Sequence, residues 1–149
     1  ACLSWPLLPE GLLKNANPLW NWAVSSRPLV GGLQIFGFNL IFACVLVGAN
    51  LFARGPQGGP LLPCGYSCLL LLFMLHISEA SGMVEMSAFC CIASGTADIS
   101  FVQTLGGRTT VGRLRDIRLS RQDRLVLALG FLLLFAAAMI EAASILRLT

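Results

Sequence analysis

Apolar residues fall in long runs along this chain, and polar residues gather between them. Pro28 to Ala53 carries no charge for 26 residues, Cys64 to Ile77 forms a second apolar run, and Leu125 to Ile140 is charge-free for 16 residues. About 20 such residues suffice to cross the hydrocarbon of a bilayer. The first run predicts a transmembrane helix over Leu29–Phe52, with Asn39 and Asn50 as its polar exceptions. Arg54-Gly55-Pro56 ends it and a Gly/Pro turn follows to Pro63. The second run predicts a short span over Cys64–Ile77, starting as early as Leu61 and closed by His76 and Glu79. A third segment, Gly82–Val102, mixes apolar residues with Glu85, Asp98 and many small side chains. Small residues let helices approach closely, so this segment belongs inside a bundle or enters the membrane partway. Gln103–Arg124 is a polar connection, and Leu125–Leu146 is the last span. Ser120 is placed as its N-cap, with Asp123 at the third helical position as in a capping box. No internal repeat, heptad or low-complexity stretch stands out.

The expected fold is therefore all-α: a polytopic transmembrane helix bundle of about four membrane segments over residues 30–149, preceded by an interfacial arm over residues 1–29. The arm holds Pro6, Pro9, Pro18 and Pro28 and all three tryptophans, Trp5, Trp20 and Trp22. Indoles favour the headgroup level, so these are interfacial anchors or contacts to a partner protein.

Composition agrees with lipid as the solvent. The 149 residues are 56% hydrophobic and 11% charged, with a mean hydropathy of +0.80. A soluble domain carries about 25% charged residues. The net charge is only +3, but six of the nine arginines lie between Arg108 and Arg124. With four spans, Arg54 and the cluster of Arg108, Arg113, Arg115, Arg118, Arg121 and Arg124 share one side, which the positive-inside rule places toward cytosol, stroma or matrix. Arg121 and Arg124 oppose the macrodipole at a helix start, so lipid phosphates or a partner's acids are expected to face them. Nucleic acid is not an expected partner, because the basic stretch is short and has no interleaved aromatics. Of the six cysteines, Cys44, Cys90 and Cys91 read as small buried apolar side chains. Neither Cys64 with Cys68 nor the vicinal pair has zinc spacing, so no metal site is expected.

Ionisable residues inside a span cost about 2.5–3.5 kcal/mol on insertion and need a reason. Glu85, near the start of segment three, and Glu141, near the end of segment four, should share a leaflet opposite the arginines. Glu79 and His76 fall near the same level, and Asp98 lies on the other side. Three readings stand for this intramembrane acidic cluster. The carboxylates lock the bundle by accepting hydrogen bonds; they handle ions or protons; or they and the side chains of His76 and Asn39 ligate a pigment or meet another subunit. The chain has no Gly-x-Ser-x-Gly, His-Glu-x-x-His or phosphate-loop motif, and it is not expected to be an enzyme.

The run Ser81-Gly82-Met83-Val84-Glu85-Met86-Ser87-Ala88-Phe89, followed by Ile92-Ala93-Ser94-Gly95, resembles the stage II sporulation protein M family, with its His-Gly-x-x-Glu-x-x-Ala element. The Ala-rich ending Leu133-Leu134-Phe135-Ala136-Ala137-Ala138-Met139-Ile140-Glu141-Ala142 is similar to that family's Ile-Glu ending. Phe38-Asn39-Leu40 and Gly65-Tyr66 fall where the family has an Asn before its first shared span and a Gly opening the next. The resemblance covers roughly residues 35–146. Ser81 stands where the family has its His, and Glu79-Ala80 replaces the usual Leu-Pro. The resemblance implies a polytopic, non-enzymatic protein whose Glu85 and Glu141 match the family's two acids, and a scaffold of the kind that holds cell-wall-remodelling enzymes.

The expected function is that of a non-catalytic accessory or scaffold subunit of a larger membrane assembly, with other membrane subunits and lipids as partners. A start at Ala1 rather than Met fits a processed chain. That leans the expectation toward a bioenergetic complex, a photosystem or respiratory assembly in an organellar membrane such as the thylakoid. No intrinsic cofactor is expected; chlorophyll, carotenoid or structural lipid at the surface is compatible with it. The alternative is a small ion or proton transporter component using the intramembrane carboxylates.

Overall fold

A computed structural model describes residues 27–76, 82–113 and 117–148. Four helices dominate it: α1 over Pro28–Asn50, α2 over Gly65–His76, α3 over Gly82–Gly95 and α4 over Arg121–Leu148. Among the described residues, only α1 and α4 are both long and apolar enough to cross a membrane. At 1.5 Å per residue, α2 and α3 reach about 18 and 21 Å, short of the roughly 30 Å hydrocarbon. The arm with Trp5, Trp20 and Trp22 lies outside the described residues.

Each helix starts and stops for a local reason. Pro28 opens α1 at a position whose N–H has no partner within a helix. The expected capping box at α4 is present: Ser120 N donates to Asp123 Oδ2 at 2.9 Å, and Asp123 N donates to Ser120 Oγ at 3.1 Å. Helix α3 stops at Gly95, seven residues before the expected end at Val102, and a 3₁₀ turn over Ala97–Ile99 follows. Asp98 is therefore in a turn and exposed, not within a span.

The expectation of an all-α chain needs one larger correction. The loops after α1 and α3 form a four-stranded sheet: β1 (Phe52–Gly55), β2 (Leu62–Pro63), β3 (Val102–Leu105) and β4 (Arg108–Val111). Their order is β2-β1-β3-β4, with β1 and β3 parallel in the middle and antiparallel pairs outside. Gly106 and Gly107 join β3 to β4 with φ of 55° and 82°. Two consecutive positive-φ residues make the tight turn whose twist suits a hairpin. The chain thus repeats one element order, helix–strand–strand–helix, although its residues show no repeat.

α1 and α3 end at the sheet, and α2 and α4 begin there. The parallel β1–β3 pairing sets Arg54 opposite Thr104, so Arg54 and the arginines of the second connection gather at one end of the bundle. Phe89, Leu46, Ile92 and Leu134 are wholly buried at the centre with Ala43, Ala88 and Ala93. Phe36 of α1 meets Phe135 of α4 edge-on at 5.5 Å. Cys44 and Cys90, expected to be buried, are exposed, and Cys91 is half-buried. An apolar run does not say which face of its helix turns inward.

α3 and α4 pack antiparallel, and small residues set their separation. A side chain at Gly130 would meet Ile92 Cγ1 at 2.8 Å and both Ala88 O and Cys91 Cβ at 3.1 Å. Gly130→Val should therefore destabilise the chain by about 1–3 kcal/mol through overpacking. Thermal unfolding in detergent, followed by circular dichroism, measures this; an unchanged midpoint would mean that the two helices do not approach here.

Candidate functional site

The polar residues of the bundle form two groups, one at the sheet end and one in the core. The first is centred on Asn50, which closes α1 and is wholly buried. Helix ends leave backbone groups without partners, and buried ones must find them elsewhere. Asn50 supplies several. Its Nδ2 donates to Ala93 O at 2.9 Å and to Thr96 Oγ1 at 2.8 Å, and its Oδ1 accepts from Gly65 N at 3.0 Å. One amide thus satisfies a carbonyl at the end of α3 and an N–H at the start of α2. Thr96 Oγ1 in turn donates a hydrogen bond to Ile92 O at 2.7 Å. Ser100 Oγ donates to Asn50 O at 2.7 Å, while Phe101 N and Val102 N share Leu51 O. Gly65 is required at its position, since a Cβ there would overlap the Asn50 amide.

The second group lies in the core. Glu85, in the first turn of α3, is 1% exposed, and Asn39 of α1 is 4% exposed. Asn39 Nδ2 has no acceptor among the described residues. Glu141 is half-buried in α4. Gly130 lies between Ala88 and Ile92, and Gly95 lies against Asp123 and Leu127. Those contacts fix the axial register of α3 against α4. They place Glu85 and Glu141 in the half of the bundle away from the sheet. They also offset the two by about 9 Å along the axis, because Glu141 falls about six residues beyond the level of Glu85. The two carboxylates share a half but not a level.

Asp98 sits at the sheet end with the arginines. His76 is the last residue of α2, and Glu79 and Arg115 lie outside the described residues. Arg108, Arg113, Arg118, Arg121 and Arg124 are exposed. Among the described residues no three His, Cys, Asp or Glu side chains come together as a metal site would require.

The residue that sequence reasoning undervalued is Asn50. A lone Asn near the end of an apolar run gives one local signal, its cost of burial. Its partners at Gly65, Ala93 and Thr96 are distant in sequence and cannot be read from it.

No family model matches the chain, no curated protein matches it, and no solved structure matches it.

Asn50→Leu should cost roughly 2–5 kcal/mol, because it strands the Gly65 N–H and the Ala93 carbonyl in a buried place. Gly65→Ala should be costly in the natural chain and markedly cheaper in an Asn50→Ala background, where the atoms it would strike are gone. Additive costs in that double-mutant cycle would break the proposed coupling.

Proposed function

We propose that the chain is a non-catalytic integral membrane protein that serves as an accessory or scaffold subunit of a larger membrane assembly. One observation carries the reading: only 28% of the most apolar stretch of α1, and 28% of that of α4, is buried within the chain. The buried core helix of a soluble domain hides most of its apolar residues, whereas here Leu33, Ile41 and Val45 of α1 and Leu125, Leu129 and Leu132 of α4 are exposed. That surface calls for lipid or the helices of other proteins.

In this reading α1 and α4 cross the bilayer, and the shorter α2 and α3 fill the space beside them to complete four segments. The sheet lies at the membrane surface, since open edges such as β2 and β4 do not occur in hydrocarbon. The positive-inside rule, applied to its arginines, supports the cytosolic, stromal or matrix side for that surface. The resemblance to the stage II sporulation protein M family supports a scaffold over an enzyme. The chain should stay in the membrane through alkaline carbonate washing and elute from a mild-detergent column with other subunits. A stable monomer free of partners would sink the subunit reading, and release by carbonate would sink the membrane reading.

A second reading is favoured by the burial in the core of Glu85 and of Asn39, whose Nδ2 has no acceptor among the described residues. Polar and ionisable groups in such places mark ion or proton paths in membrane proteins. As a transporter component, the chain would support charge-dependent flux in liposomes that Glu85→Gln or Glu141→Gln abolishes. Equal flux in the natural chain and both variants would remove this reading.

A further inference from the structure

Between α1 and α4, at the sheet end, runs an open apolar groove of about 550 Å³. Ala43, Val47 and Gly48 form one wall and Leu127 and Phe131 the other, with Ile117 and Leu119 across the end nearest the sheet. Its lining is almost wholly hydrocarbon, and it opens outward.

The groove has a cationic rim. Arg124 precedes Leu127 by three residues and Phe131 by seven, so the three share one face of α4, with the arginine one turn nearer the sheet. Arg118 lies between Ile117 and Leu119 and is exposed. Beyond Ile99 and Ile117, which line both hollows, the groove adjoins a more polar cleft that bears Arg113 on its wall, together with Asp98. The carboxylate of Asp123 is engaged by Ser120 N in the cap of α4. Among the described residues, no carboxylate forms an ion pair with Arg113, Arg118 or Arg124.

An apolar trough that ends under arginines without an ion pair among the described residues is complementary to one chemistry: a hydrocarbon tail carrying an anionic head. We propose that this groove is a binding site for an anionic phospholipid, with an acyl chain between α1 and α4 and the phosphate against Arg118 and Arg124. The proposal rests on the membrane reading above. It also accounts for Arg124 in the first turn of α4, where the macrodipole alone would disfavour a cation.

Two glycines make a clean test. A side chain at Gly48 would meet nothing within 4 Å, and neither would one at Gly37. Gly48→Leu therefore extends into the groove from a Cβ that strikes no neighbour, and Gly37→Leu is a matched control on α1 that does not line the groove. The full chain, in mild detergent, is titrated with dioleoyl phosphatidylglycerol or dioleoyl phosphatidylcholine and read by native mass spectrometry. An arginine near an anionic head contributes about fivefold in affinity. The natural chain should retain one phosphatidylglycerol at least about tenfold more tightly than phosphatidylcholine. Arg118→Gln with Arg124→Gln should abolish that preference, and Gly48→Leu should weaken retention of both lipids while keeping the thermal midpoint. Gly37→Leu should behave as the natural chain.

Equal retention of the two lipids, wild-type retention by Gly48→Leu, or displacement of the lipid by excess glycerol phosphate would each overturn the site. The last would show that the head alone binds. A chain that stays monodisperse without detergent would instead overturn the membrane reading, and the two failures are told apart in the same preparation.

Discussion

Three helix ends meet around the side chain of Asn50, and each brings backbone groups that its own helix cannot satisfy. Water is excluded there, since Asn50 and Gly65 are buried and Thr96 is 2% exposed. A primary amide is the smallest side chain with two donors and an acceptor in one plane, and all three are used. An Asp in its place would present a second oxygen to the Ala93 carbonyl, and a Leu would offer nothing. The geometry also fixes Gly65, because the amide and the first residue of α2 occupy adjoining space. The end of α1, the start of α2 and the end of α3 are thereby set relative to one another. The paired strands begin within a few residues of that point.

The remainder of the bundle follows from closeness rather than from polar bonding. Gly95 and Gly130 let α3 lie against α4 with backbone nearly in contact, and the aromatic pair Phe36–Phe135 ties α1 to α4 further from the sheet. In the membrane reading no hydrophobic drive acts between helices, and such close packing with a few buried hydrogen bonds is what holds them together. The outward faces of α1 and α4 are apolar, and none of the described residues covers them. At the sheet end, the groove between α1 and α4 is likewise open among the described residues, beside its arginines.

Much of this was legible in the residues. The apolar runs located all four helices, Pro28 and the Ser120–Asp123 pair marked two starts, and the alternation of the runs put Arg54 at the same end as the later cluster. The strands were not legible, because they are two to four residues long and owe their existence to partners far along the chain. Phe52 pairs with Val102, and Asn50 with Ser100, across roughly fifty residues. Gly106-Gly107 was a local hairpin signal, but it is masked by the polar stretch around it. The axial offset of Glu85 and Glu141 was not legible, because it depends on the register set by Gly95 and Gly130.

The parallel pairing of β1 with β3 has a consequence for how the chain is made. β1 is synthesised directly after α1, but its central partner leaves the ribosome only after α2 and α3 have been completed. In the interval β1 has β2 alone, a strand of two residues, and Asn50 can reach Gly65 but not Ala93 or Thr96. The first half of the protein is therefore a provisional structure, with an open strand edge and an amide still carrying unused donors. It closes when the second half arrives, and a chain halted before β3 would display that edge as a mark of incomplete synthesis.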